Sequence, residues 1–392
     1  MTIKIGSTTF DKYGSISVSL IYDSVASIFS AEVYFDTANS AHKKALQPGL
    51  YPRVTIEHNG NTLFTGTLLT YRFKSSARKH LVVISGYSTP GVFEDCNILT
   101  KKPIQTSGLS LTEIARELIS PFGVRLIVDD SVADVCSKPI PSINPDSTQT
   151  IKSYLSEIAS QINVVVSHTA DGDLLFTGYK TKQASAPYLV IPNNLPGEKN
   201  KEFIYNEGQA ANRASVFTFT QGQPGVEYDL IFDGQRMHSD ISVVAQQSVQ
   251  GSDATTTPVL INPYVDRSRI NYLGVAFNNT IGNPENPKLG FRPKVAMLTA
   301  GTQADKAQRN ILSEELKSIP LIIDMQGWEL NGKIAKPGDI ISITNPELHL
   351  YKPASFFILT ADYKADERSQ TARLYCVLPE VFNNDVPKNI FA

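Results

Sequence analysis

A Pro-Gly turn feeding a strand of alternating polarity occurs twice in this chain, once towards each end. Pro48-Gly49-Leu50-Tyr51-Pro52 runs into Arg53-Val54-Thr55-Ile56, and Pro337-Gly338-Asp339 runs into Ile340-Ile341-Ser342-Ile343. A strand around Phe64 is followed 17 positions later by one at Leu81, and a strand at Phe357 is followed 17 positions later by one at Leu374. Pro presets φ and Gly accepts positive φ, so one such turn is ordinary chemistry. Two matches in the same order point to first and last domains of a shared fold. The 392 residues allow roughly two to four domains.

The opening stretch reads as β structure. Ile16, Val18 and Leu20 alternate with Ser17 and Ser19, and Phe29, Ala31, Val33 and Phe35 alternate with polar neighbours. That period of two is the pattern of a half-buried strand. Arg53 to Glu57 runs into His58-Asn59-Gly60-Asn61, with Thr62 to Gly66 leaving it. Asn-Gly between two such runs predicts a tight hairpin, since both residues tolerate positive φ. With a further strand at Lys79 to Ile84, residues 1–95 are expected to form a small antiparallel barrel or sandwich.

The period then changes. Leu111, Ile114, Ala115, Leu118 and Ile119 fall on one helical stripe, with Ser110 and Glu113 as a capping box and Pro121 and Gly123 ending it. The β run Val124 to Val128 follows. The unit recurs as the stripe Ile151, Tyr154, Leu155, Ile158, Ala159 and Ile162 before Val164 to Val166, and the overlap is partly literal, Leu111-Thr112-Glu113-Ile114-Ala115 against Leu155-Ser156-Glu157-Ile158-Ala159. Asp171-Gly172 predicts a hairpin into Leu174 to Phe176. Residues 96–186 are read as an α/β domain of two related helix–strand units.

Further on, Val216 to Thr220 and Tyr228 to Phe232 are strand candidates. Gly222 to Gly225, Gly251 to Pro258 and Asn278 to Pro284 have loop compositions. A helix is expected from a Thr302 cap to Leu316, before Pro320. The resulting division places 187–222 and 320–392 in the last β domain and 223–319 in a loop-rich insertion ending in that helix.

Local chemistry is sparse. Of the six histidines the closest two, His42 and His58, are 16 positions apart, so no HExxH or His/Cys cluster exists. His58 and His168 sit at hairpin strands and read as surface residues. Asp171-Gly172-Asp173 lacks the other carboxylates of a calcium loop and reads as a turn. Glu113 has a capping role, and Glu157 lies on a polar helix face. GxSxG, GxxxxGK[ST] and strand-linked GxGxxG motifs are absent. No catalytic, cofactor-binding or metal-binding residues are therefore expected, and no cofactor. The 36 basic and 38 acidic side chains give a net charge of −2, no global reason to bind nucleic acid or an anionic membrane. Lys43-Lys44, Arg78-Lys79-His80 and Lys101-Lys102 are short basic groups, read as solvated loops with a channel or interface as the sharper alternative. The apolar runs are strand-length, well short of a membrane helix, and the start shows no signal-peptide pattern. Cys96, Cys136 and Cys376 are scattered and odd in number, as expected of reduced thiols in a chain folded in cytoplasm.

The C-terminal third carries the most specific pattern. A helix over Asp305 to Leu316 precedes Leu321-Ile322-Ile323-Asp324-Met325, then Gly327-Trp328, Asn331-Gly332-Lys333, Lys336-Pro337-Gly338-Asp339, Ile340 to Ile343, and a late strand running Leu374 to Leu378 into Pro379-Glu380-Val381-Phe382. This order resembles the baseplate hub proteins of Mu-like contractile phages, the 43-kDa tail protein family. Asn212-Arg213-Ala214-Ser215 before the Phe217 strand is similar to that family's entry to its central strand. The resemblance is specific from about 303 to 382 and weakest over 223–300.

What the resemblance implies is an α+β, β-rich chain with two similar tube-type β-barrel domains, an α/β domain and a loop-rich insertion between them. It implies a homotrimeric ring without enzymatic activity in the virion tail baseplate, assembled in the host cytoplasm, with the tail tube protein above and a spike protein below. Such a ring adapts a six-fold tube to a three-fold spike. The alternatives are a glycan-binding β protein, with Tyr228, Tyr264 and Tyr272 as candidate platforms, and a cell-wall hydrolase, which needs an acid/base pair or a metal.

Overall fold

The first strands are β1 (Thr2–Ile5), β2 (Thr8–Phe10), β3 (Tyr13–Ile21) and β4 (Ile28–Tyr34). After helix α1 (Ser40–Ala45) come β5 (Arg53–His58), β6 (Asn61–Ser75) and β7 (His80–Ser88). The expected alternation is present: Ile16, Val18 and Leu20 of β3 and Phe29, Ala31 and Val33 of β4 are buried. Asn59 and Gly60 take φ of 51° and 78°, and His58 pairs directly with Asn61, which is the two-residue hairpin that Asn-Gly favours. The computed structural model describes residues 1–75, 80–98, 108–140, 145–146, 148–178, 189–191, 204–205, 215–245, 259–265, 293–298, 304–383 and 385–392. Arg78-Lys79, Lys101-Lys102, Asn212-Arg213-Ala214, the stretches 251–258 and 278–284, Tyr272 and Thr302 lie outside the described residues.

The α/β part follows as α2 (Val92–Asp95), α3 (Leu111–Ile119), β8 (Leu126–Val128), α4 (Asp130–Cys136), α5 (Ile151–Gln161), β9 (Val165–His168), β10 (Leu174–Thr177), β11 (Leu189–Ile191) and β12 (Ile204–Tyr205). The capping box is complete: Ser110 Oγ accepts from the Glu113 N–H, and the Glu113 carboxylate accepts from the Ser110 N–H at 2.8 Å. The Ser110 N–H and hydroxyl, both donating to that carboxylate, hold it below its ordinary range. The sheet order is β12-β11-β8-β10-β9, with β8 and β10 parallel and β9 antiparallel to β10. Both helical stripes are buried in one core, Leu111, Ile114, Ala115, Leu118 and Ile119 with Ile151, Tyr154, Leu155, Ile158 and Ala159. That core also receives Val25, fully buried, from the connection between β3 and β4.

The last third contains β13 (Val216–Thr220), β14 (Val226–Leu230), β15 (Asp240–Ala245), β16 (Leu260–Ile261), β17 (Pro293–Leu298), α6 (Ala304–Leu316) and β18 (Leu321–Gln326). It ends with β19 (Glu329–Leu330), β20 (Lys333–Ile334), β21 (Ile340–Asn345), β22 (Leu350–Asp366), β23 (Gln370–Val377) and α7 (Glu380–Asn383). β14 pairs with β18, so 226–230 is continuous with the large sheet although the sequence division put it in the insertion. Asp339 organises the second Pro-Gly turn. Its carboxylate accepts from the Lys336 N–H at 2.8 Å and from the Ser215 N–H at 2.7 Å, fixing where β13 begins.

Among the described residues the principal sheet has 13 strands, and its order contains one motif twice. The run β1-β5-β6-β7-β4-β3 places its six strands, in chain order, as first, fourth, fifth, sixth, third and second; β13-β21-β22-β23-β18-β14 does the same. The hairpin β6–β7 has a bulge between Leu68 and Thr70, and β22–β23 has one between Ile358 and Thr360. One difference is the first strand: β1 is antiparallel to β5, whereas β13 is parallel to β21. The sequence spacing matched Leu81 with Leu374. The hydrogen-bonded rows instead match Ile84 with Leu374, because Tyr71–Ile84–Ala31–Ile16 and Ala361–Leu374–Ile323–Tyr228 occupy the same places. The two groups are joined through β3, which pairs antiparallel with the far half of β22 from Ile21–Thr360 to Ser15–Asp366. A single apolar core runs under both, from Ile3 and Phe64 to Phe356 and Leu374.

Candidate assembly surface

Among the described residues no group of three or more His, Cys, Asp or Glu side chains is placed to hold a metal ion. The carboxylates and histidines singled out in the sequence have structural partners. Asp173 takes a two-pronged grip from Arg125, at 2.8 and 2.7 Å, while Gly172 turns the chain at φ 87°. Glu157 accepts from the Gln149 side chain at 2.8 Å. His168 is half-buried and not a free surface residue: its Nδ1–H donates to the Ser24 carbonyl at 2.9 Å, and desolvation lowers its pKa to about 4. Cys136 and Cys376 are buried and their thiols are pushed up by desolvation, Cys136 to about 12. Tyr264 is buried, with its hydroxyl on the Lys388 carbonyl, and Tyr228 donates to the Thr220 carbonyl. Lys43 and Lys44 are exposed on α1.

At the junction of the two strand groups a buried histidine meets a carboxylate. His58, 8% exposed, places Nε2 2.8 Å from Glu329 Oε1, and the same oxygen accepts from Asn59 at 2.6 Å. Trp328 lies beside the His58 ring at a centroid distance of 5.3 Å and donates its indole N–H to the Lys364 carbonyl on β22. The Asn59-Gly60 hairpin of the first group is thereby held against the Gly327-Trp328 segment of the second.

Among the strand edges of the principal sheet that lack a partner within the described residues, two belong one to each strand group. The half of β6 from Thr70 to Ser75 bonds to β7 alone, because its pairing with β5 stops at Thr67. β14 bonds to β18 alone, and this ladder continues through the Ile231 N–H on the Pro320 carbonyl and the Asp233 N–H on the Ser318 carbonyl. Phe73 (49% exposed) stands on the first edge, and Ile231 and Phe232 (40% and 46%) stand on the second. The Tyr71 hydroxyl is enclosed without a hydrogen-bond partner, and burial raises its pKa. Open edges carrying apolar side chains are templates for strand addition. The sequence marked none of these residues as a site. The signal that could have found them is Tyr71 and Phe73 alternating with Arg72 and Lys74 beyond the end of the β5 pairing.

The likeness to other proteins agrees with this architecture. Residues 91–178 match the family model described as baseplate hub protein gp44-like, second domain. No curated protein sequence matches the chain. Among solved structures, the 43 kDa tail protein of prophage MuSo2 from Shewanella oneidensis superimposes with a TM-score of 0.70 at 16% identity, over 97% of this chain and 99% of that one. The tail protein from Neisseria meningitidis MC58 gives 0.66 at 14% identity, covering 98% of both chains. Prophage tail protein gp18 from Listeria monocytogenes EGD-e gives 0.53 at 12% identity, over 94% of this chain and 90% of that one. The fold is thus that of phage tail proteins. Within that class the chain resembles the baseplate hub, or 43-kDa tail protein, family of Mu-like phages.

Proposed function

We propose that this chain is a structural baseplate hub of a contractile phage tail or a tail-derived particle, acting as a homotrimeric ring and not as an enzyme. Each six-strand group is read as one tube-type module, so three copies present six similar modules to the tail tube above and three-fold symmetry to a spike below. The observation that carries the reading is the repeated strand order, with both groups joined side by side through β3 and β22. A chain that duplicates its module can match a ring of twice its own copy number. The contact between copies must then be heterologous and must close, since an open series would grow into a filament.

Native mass spectrometry of the purified protein at micromolar concentration tests this. A species of three times the 43.0 kDa chain is expected, seen as a ring with a central hole in the electron microscope. A monomer, or a ring of another copy number, overturns it.

A further inference from the structure

The pairing of β3 with β22 shows how one strand group joins the next within the chain, and the repeat transfers that geometry to the two open edges. We infer that β14 of one copy pairs antiparallel with the Thr70–Ser75 half of β6 of a second copy, in a register set by the β3–β22 pairing; this rests on the ring reading above.

The register follows from the equivalent rows. Tyr71, Ile84, Ala31 and Ile16 correspond to Ala361, Leu374, Ile323 and Tyr228. Within the chain, Leu20 faces Ala361, Val18 faces Tyr363, Ser17 faces Lys364 and Ile16 faces Ala365. The counterparts between copies are Phe232 facing Tyr71, Leu230 facing Phe73, Asp229 facing Lys74 and Tyr228 facing Ser75. Ile231 faces Arg72 and Asp233 faces Thr70.

Backbone polarity agrees. The N–H groups of Ile231 and Asp233 point at the β18 side, so those of Tyr228, Leu230 and Phe232 point at the open side. Tyr22, the equivalent parity on the first group, sends its N–H to the Leu359 carbonyl across the inner seam at 2.9 Å.

Side-chain chemistry agrees as well. On one face the seam sets Tyr71 and Phe73 against Phe232, Leu230 and Tyr228, where the inner seam has the buried Ala361, Tyr363, Leu20 and Val18. On the other face Lys74 lies opposite Asp229, and Arg72 lies diagonally between Asp229 and Asp233. Opposite charges facing across paired strands favour a register, and like charges disfavour it. In the isolated chain Lys74 reaches Glu32 at 3.0 Å and Asp233 reaches Arg236 at 3.4 Å, so both ends of the seam stay charged and solvated until copies meet.

The test is a disulfide trap in the full chain carrying Cys96→Ser. Lys74 and Asp229 fall at a non-hydrogen-bonded pair, where Cα atoms approach to about 4.5 Å, within the range a disulfide accepts. K74C/D229C is expected to shift under mild oxidation into a covalent ladder ending at the ring's copy number, reversed by reductant. K74C/D233C, displaced by four residues or about 13 Å along the strand, is expected to stay at chain mass. A ring by native mass spectrometry with no K74C/D229C ladder, or with equal ladders in both variants, overturns the seam and leaves the ring standing. A monomeric parent protein overturns the ring reading itself. Charge exchange gives an independent readout: K74D and D229K are each expected to shift the ring towards monomer, and the double variant to restore it. Failure of the double variant to restore it overturns the pairing of these two residues.

Discussion

His58 Nε2 lies 2.8 Å from Glu329 Oε1, joining residues 271 positions apart across the junction of the two strand groups. Because the ring is buried, removing the carboxylate strands its Nε2 donor, while the exposed Asn59 amide can turn to water. Glu329→Ala is expected to destabilise the chain by about 1–3 kcal/mol, with Glu329→Gln retaining an acceptor and costing about half as much. Denaturant titration followed by Trp328 fluorescence reads both, since that indole packs on the His58 ring.

His168 makes the protein acid-sensitive in a definite window. Its folded pKa of about 4 lies below the ordinary 6.5 of a histidine, so between those values the unfolded chain binds more protons. Stability is fully present above about pH 6.5, falls as pH drops towards 4, and this contribution is then lost; the size is on the order of 3 kcal/mol. Melting temperatures between pH 7.5 and 4.5 should show the decline. His168→Asn, which keeps a donor for the Ser24 carbonyl but does not titrate, should flatten it.

Gly86 sits opposite Leu68 beside the first bulge, and a Cβ there would overlap the Thr67 carbonyl oxygen across the ladder. Backbone cannot move aside as a side-chain tip does. Gly86→Ala is therefore expected to cost about 2–4 kcal/mol, in the range of strained or overpacked sites. The equivalent place in the second group holds Cys376, so Cys376→Ala should cost less, a comparison that thermal melts of the two variants decide.

The three thiols should react in a set order. Cys96 is partly exposed, whereas Cys136 and Cys376 are buried and desolvation disfavours their thiolates. A thiol reagent at pH 8 is expected to modify Cys96 alone in the native protein and all three after denaturation. Fast native labelling of Cys376 would contradict the packing of β23.

Local chemistry was readable in the sequence and long-range pairing was not. The Asn59-Gly60 hairpin, the Ser110–Glu113 capping box and the two helical stripes depend on neighbours a few positions apart, and each is found where the residues put it. Helix α4 escaped because Asp129 and Asp130 with one turn of small residues give no stripe, and its burial of Val132 and Cys136 is tertiary. The repeat was visible, yet its register was misread by three residues: both groups keep the same 17-residue spacing, but the counterpart of Phe357 is Thr67 and not Phe64, which only the pairing ladders reveal. The junction of β3 with β22, and the surface left open on β6 and β14, follow from contacts between distant parts of the chain that no local period encodes.

Val25 leaves the turn after β3 to fill the core of the α/β part, while Tyr22, one residue beyond β3, sends its hydroxyl to the Gly178 carbonyl. The strand anchored by those two residues is the same one that welds the strand groups together. The α/β part is thus fastened to the very strand that joins the two groups, so a displacement of that part would strain the join directly.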